Sequence, residues 1–196
     1  MAQQMPNVIE LYEASAQGFR RTLAGVRPNQ MSNPTPCTLW NVQALINHNI
    51  KVAGFVEGVL TGNVTVNPMD VAGPLPPEGS VAALDAGVAR VLELIKARGA
   101  LEKVLNTPFG AMPTAHFMMN PFTDLLVHKW DLAKATGQST TLDRGLVEVC
   151  YNAISPHMDA MRSAEFGGQH IFGPAVTVPA GASLQDRLIG ITGRHP

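Results

Sequence analysis

In every long stretch of this sequence where apolar residues recur, they recur at three- and four-residue intervals. A chain dominated by that period must bury helix faces against one another. Over residues 7–26 the face is Val8, Leu11, Tyr12, Phe19 and Leu23, with small Ser15 and Ala16 filling the turn between. A second helix is expected over residues 39–61 behind a Thr38 cap, with Val42, Leu45, Val52, Val56 and Leu60 on its face and His48, Phe55 and Val59 at the edge. A third, capped by Ser80 and stopped at Gly99, carries Val81, Leu84, Val88, Val91, Leu92 and Ile95. Asn120-Pro121 is a start signal and Gly137 a stop, so residues 121–136 form the best-delimited helix. A further helix is expected over residues 143–161, kinked or divided at Pro156.

The segments between are punctuated by proline and glycine. RPNQMSNPTPCTLW is a connection, residues 62–79 form a long loop, and KVLNTPFGAMPTAHFMM reads as a short hairpin with Phe109-Gly110 near its tip. Residues 167–196 read as an extended tail laid back over the helices, with strand character only near Val176 and Val178. The expectation is one all-α domain, residues 1–196, built as a helical bundle.

At 196 residues the chain can form one core, and 45% hydrophobic against 15% charged residues excludes intrinsic disorder. So low a charge content also admits a homodimer interface. Fourteen basic residues balance fifteen acidic ones without a dense cluster, which argues against nucleic acid and for a small-molecule partner. Cys37 and Cys150 belong to no paired pattern, which fits a reducing compartment, the cytoplasm. The N-terminus reads as an amphipathic helix rather than a signal peptide, and no apolar run is long enough for a membrane span.

The chemistry-bearing residues gather on the 121–136 helix. Asp124, His128 and Asp131 stand at i, i+4 and i+7, on one side of the helix beside the stripe of Phe122, Leu125, Leu126 and Ala133. Asp124 and His128 can offer an oxygen and an imidazole nitrogen to one ion, and His48 on a facing helix is the natural third ligand. The same spacing also serves solvated carboxylate–imidazole contacts, and His48 taken alone reads more readily as a hydrogen-bonded helix residue than as a ligand. Cys37 is expected to be a buried, unreactive thiol. His116 and His157 are further histidines without a partner pattern; Trp40 and Trp130 are packing anchors, Lys129 and Lys134 a solvated face, and the GRHP ending a basic terminus. There is no GxGxxG, Walker loop, HExxH or nucleophile elbow.

TPCTLWNVQALINH resembles the second-helix signature of the DinB-like superfamily, in particular proteins related to the N-terminal domain of mycothiol-dependent maleylpyruvate isomerase. DLLVHKWDLAKATG and the ending FGPAVTVPAGASLQDRLIGITGRHP resemble an actinobacterial subgroup of metal-binding proteins within it. The resemblance implies a DinB-like four-helix bundle with a metal on His48, Asp124 and His128. The family usually has a longer side chain where Asp124 stands, and Asp131 would then serve as a substitute ligand or as acceptor for the second ring nitrogen. Two imidazoles and one carboxylate leave open positions on zinc, nickel or iron, as in a catalytic centre. The implied activity is a thiol-dependent transferase or isomerase using mycothiol and an electrophile; the alternative is a non-catalytic metal- or ligand-binding bundle. A chain without the separate C-terminal domain of the isomerase is not expected to carry out that specific reaction.

Overall fold

The computed structural model describes residues 7–38, 40–163, 165–166 and 169–196. Leu39 and Gly167, the expected starts of the second helix and of the tail, lie outside the described residues, as do residues 1–6. The described helices are α1 (Val8–Ala24), α2 (Val42–Thr61), α3 (Ser80–Lys96), α4 (Thr114–Phe117), α5 (Met119–Thr136), α6 (Arg144–Ile154), α7 (Met158–Ser163) and α8 (Leu184–Ile191). Two antiparallel pairs accompany them: β1 (Val104–Thr107) with β2 (Gly110–Pro113), and β3 (Glu165–Phe166) with β4 (Gln169–His170).

Four helices close the bundle: α1 packs on α5 and α3, and α2 packs on α3 and α5. The apolar stripes read from the sequence supply the core, with Tyr12, Phe19, Leu45, Val56, Leu84, Val91, Leu125 and Leu132 all buried in one cluster. Burying each large side chain contributes about 1.5–3 kcal/mol. Gly87 lets α3 approach α2 closely, because a Cβ there would lie 2.8 Å from that of Ala53. Surface pairs such as Arg20–Asp85 at 2.8 Å add little, being exposed.

A second cluster lies on the other side of α5. Phe122, Leu126 and Trp130 of α5 meet Val147, Cys150 and Ile154 of α6 and Leu188 and Ile189 of α8. Helix α5 is therefore covered on both sides, which is why Leu125 and Leu132 in one cluster and Phe122, Leu126 and Trp130 in the other are all buried. Burial also pushes the Cys150 thiol up to about 12, only partly offset by the Thr123 hydroxyl at 3.6 Å.

Several boundaries differ from the sequence reading. Helix α2 is capped by Asn41, whose side chain accepts from the Ala44 N–H, and not by Thr38. A tight turn (Trp40 N–H to the Cys37 carbonyl, 2.7 Å) and paired contacts between Thr35 and Trp40 keep the chain out of helical conformation until Asn41. Helix α5 starts at Met119 directly after α4, with no side-chain cap, so Asn120 and Pro121 lie inside its first turn. A proline is harmless there because the first N–H groups of a helix have no intrahelical partner. Ser80 is the first residue of α3 rather than its cap, a place taken by Gly79, and α3 ends at Lys96 before Gly99.

The hairpin turns at Pro108-Phe109 and the helix after Asp143 is divided at Pro156, as expected. The tail, by contrast, contains α8, capped by Ser183 through the Asp186 N–H, while Val176 and Val178 form no strand. The 62–79 loop folds back along α2: the Asn47 amide donates to the carbonyls of Val71 and Gly73, and Gln43 donates to Gly73.

Because the α2–α3 contact has no spare volume, Gly87→Leu is expected to cost about 1–3 kcal/mol by overpacking. Chemical denaturation should show a lower midpoint; an unchanged one would mean that the contact is not tight.

Candidate metal centre

Helices α2 and α5 pack side by side, and their facing sides carry the polar residues singled out in the sequence. His48 comes from α2; Asp124, His128 and Asp131 come from successive turns of α5. Asp124 Oδ1 lies 3.3 Å from His48 Nε2 and 3.3 Å from His128 Nε2. The two rings meet edge to face with centroids 5.0 Å apart. Side-chain exposure is 7% for His48, 8% for His128 and 28% for Asp124, so the opening to solvent runs past the carboxylate.

The far nitrogen of each ring has its own acceptor. His48 Nδ1 is 2.9 Å from the Pro68 carbonyl, which can only accept, so this nitrogen carries the proton. His128 Nδ1 is 2.9 Å from Asp131 Oδ2 and donates to it. In the neutral tautomers assigned from these contacts, both Nε2 lone pairs point at Asp124 Oδ1. Three electron-rich atoms in one small space require a cation among them, either protons or a metal ion. Burial alone would lower the pKa of His128, but the Asp124 carboxylate, with Cys37 and Asp131, raises it well above the ordinary histidine value. Burial likewise opposes ionisation of Asp124, yet His128 and His48 hold its carboxyl well below the usual range. Asp124 Oδ2 is buried without a hydrogen-bond partner among the described residues.

Asp131 is fully buried and takes the acceptor role rather than facing the two Nε2 atoms. Its partner is Arg194, which follows α8: Nε lies 3.1 and 3.2 Å from the two carboxylate oxygens and Nη2 2.9 Å from Oδ2. Burial disfavours the charged forms of both, but Arg194 and His128 together outweigh it and hold the Asp131 carboxyl well below its usual range, while Asp131 raises Arg194. The Cys37 thiol donates to Asp131 Oδ2 at 3.4 Å and accepts from Arg194 Nη2 at 3.1 Å.

Among the described residues, two groups of side chains thus have metal-ligand geometry: His48, Asp124 and His128; and Cys37, His128 and Asp131. The guanidinium of Arg194 already neutralises the second. The first has no such cation and an orphaned carboxylate oxygen, so its donor set fits a divalent ion.

The structure therefore revises several sequence readings. Arg194 is a buried ion-pair partner, not part of a basic terminus, and the S-x-x-D signature of Ser183 and Asp186 ahead of Leu188 and Ile189 was the signal for the helix that delivers it. Cys37 is half-buried and borders the centre instead of being sequestered. Trp40 packs its ring 4.5 Å from that of His48 and 5.8 Å from that of His128, so it walls the site as well as anchoring the turn. Lys129 is only partly solvated, its ammonium donating to the Thr141 carbonyl, and Lys134 lies over the Trp130 ring at 4.8 Å. His116 and His157 are exposed and remote from the centre's contacts.

A helical bundle with two imidazoles and a carboxylate converging between neighbouring helices is one of the established ways of building a metal centre. The sequence profile of the mycothiol maleylpyruvate isomerase N-terminal domain matches residues 12–133, and the chain belongs to that family. It is 39% identical over 132 residues to an uncharacterized protein of Mycobacterium tuberculosis, found in strains H37Rv and CDC 1551, covering 67% of this chain and 69% of that protein. Two crystal structures of mycothiol-dependent maleylpyruvate isomerase, one of a point mutant, share the fold at 16% identity, with TM-scores of 0.58 and 0.64 over 82% of this chain and 72% of theirs. No helix among the described residues is long and apolar enough to cross a membrane.

Replacing Asp131 by Asn should leave the buried guanidinium uncompensated and cost about 3–5 kcal/mol. Since the folded-state pKa of Asp131 is depressed, its contribution is complete above about pH 4 and lost as pH falls through the folded value. Denaturation midpoints measured from neutral to acid pH should therefore fall less steeply for the variant than for the wild type.

Proposed function

We propose that the chain is a divalent-metal protein in which His48, Asp124 and His128 hold the ion and support thiol-dependent transfer or isomerisation, with a low-molecular-weight thiol of the mycothiol type as cosubstrate. The observation that carries this reading is the convergence of two Nε2 atoms on Asp124 Oδ1 at 3.3 Å beside an orphaned Oδ2. Family membership and the likeness to mycothiol-dependent maleylpyruvate isomerase support the thiol half of the proposal.

A zinc, nickel or iron ion in such a set supplies Lewis acidity at open positions, enough to keep a bound thiol deprotonated near neutral pH. The chain's own residues prepare the site. Pro68 and Asp131 hold the rings in the tautomer that leaves Nε2 free. Asp124 offsets the positive charge and marks the approach from solvent, and Trp40 packs over the two rings, limiting their access to water. Cys37 is held between Arg194 and Asp131, so the nucleophile is assigned to the small thiol and not to the protein. The same reading treats residues 1–196 as one metal-binding unit working in a reducing cytoplasm, where Cys37 and Cys150 stay free.

Purified wild-type protein should contain about one equivalent of metal by elemental analysis and should accelerate conjugation of a low-molecular-weight thiol to a generic electrophile. His128→Ala should lose the metal, with an affinity drop of at least about 100-fold, and lose the activity, while circular dichroism stays helical. Asp124→Glu should retain metal. Full metal content in His128→Ala would refute the site, and metal binding without thiol turnover would favour the non-catalytic bundle.

A further inference from the structure

We infer that Arg194 is a positioning residue of this centre, acting through Asp131 to fix the His128 ring, so that metal affinity depends on a residue delivered by the C-terminal segment. The inference rests on the metal reading above. It concerns a residue outside the matched stretch, residues 12–133.

The geometry of Arg194 excludes a substrate role. Its side chain is 8% exposed and every nitrogen faces inward: Nε and Nη2 grip Asp131, Nη2 also meets the Cys37 sulfur, and Nη1 donates to the Thr192 carbonyl at 2.7 Å. No face of the guanidinium is left for an anionic ligand. The oxygen that Nη2 holds, Asp131 Oδ2, is the same atom that receives His128 Nδ1–H, each at 2.9 Å. The bidentate fork therefore fixes the orientation of the acceptor that sets the His128 tautomer. Without the fork, the carboxylate would be free to turn toward another donor, and the Nδ1–H contact would no longer be enforced.

Delivery of Arg194 is equally constrained. Helix α8 ends in a left-handed Gly193 (φ 85°), and the Arg194 N–H returns to the Ile189 carbonyl at 3.1 Å. A Cβ on Gly193 would also lie 3.0 Å from the Gly173 backbone, so the turn closes only with glycine there. Leu188 and Ile189 belong to the cluster that contains Phe122, Leu126 and Trp130, residues of the same helix that carries Asp131 and His128. The docking of α8 and the clamping of Asp131 are thus parts of one packing arrangement.

The test is a cobalt(II) titration of the full-length chain, read by visible absorption, with zinc competition for affinity. Arg194→Met should remain helical yet bind cobalt about 10–100-fold more weakly than wild type, with an altered visible spectrum. Arg194→Lys, which restores the charge without the planar fork, should fall between the two. Gly87→Leu, destabilised at the α2–α3 contact against Ala53, which is no member of the centre, should bind as wild type does. If Arg194→Met does not fold, Arg194→Lys decides alone. Wild-type affinity and spectrum in the foldable Arg194 variant would overturn the inference, as would an equal loss in Gly87→Leu. A wild-type chain that binds no cobalt would overturn the metal reading, and this inference with it.

Discussion

The carboxylate of Asp131 has no contact with solvent, and an uncompensated charge at that depth would cost several kcal/mol. The structure answers with a guanidinium in bidentate contact, an imidazole N–H and a thiol, all on the same two oxygens. Each partner comes from a different part of the chain: Arg194 from beyond α8, His128 from the turn of α5 before Asp131, and Cys37 from the turn that precedes α2. Compensating one buried charge therefore ties the C-terminal segment, the central helix and the connection between the first two helices to a common point. Replacing a whole buried ionic set by well-packed apolar residues is often neutral or stabilising, so stability alone does not account for this set, and its contact with His128 does.

The packing of α5 makes such a point available. A helix with one buried face would expose the turn opposite its stripe, and a line of Asp124, His128 and Asp131 would sit in water. Here α1 and α2 cover one side and α6 and α8 the other, so the polar line runs along a seam between two apolar clusters. Only its N-terminal member, Asp124, reaches solvent appreciably, at 28% exposure. Electrostatics in the seam are strengthened by this exclusion of water, and the tautomers of both imidazoles become determinate.

What the sequence made legible follows from the range of the interactions involved. The stripes of α1, α2 and α3 and the Asp124–His128 pair are repeats within a single helix, and they appear in the structure as read. Boundaries were less legible where tertiary contacts override local signals: Thr38 is a sound cap by residue type, but the Thr35–Trp40 turn postpones the helix to Asn41. Pro121 tolerates two placements in the first turn, and α4 running into α5 selects the later one. Arg194 pairs with a residue 63 positions earlier, and His48 with a loop carbonyl 20 positions later. Neither leaves a local pattern, because a backbone carbonyl has no residue identity and a lone arginine after a glycine resembles any basic end. Only the Ser183–Asp186 cap announced the helix that positions Arg194.

The short side chain of Asp124 bears on how the family's bundle is used here. A longer carboxylate at this position would span a wider gap between α2 and α5, yet Asp124 Oδ1 already reaches both Nε2 atoms at the same 3.3 Å. The ring centroids of His48 and His128 are 5.0 Å apart, and Trp40 fills the space beside both. The shorter acid is therefore within reach of both rings. The connections shape the rest of the site: the 33–41 turn ahead of α2 brings Cys37 and Trp40, and the 62–79 loop brings Pro68. Helix packing then fixes which atoms converge, and the two loops fix what can approach them. A bundle shared at 16% identity therefore accounts for the fold, while what can approach the three side chains is set by the loops of this chain.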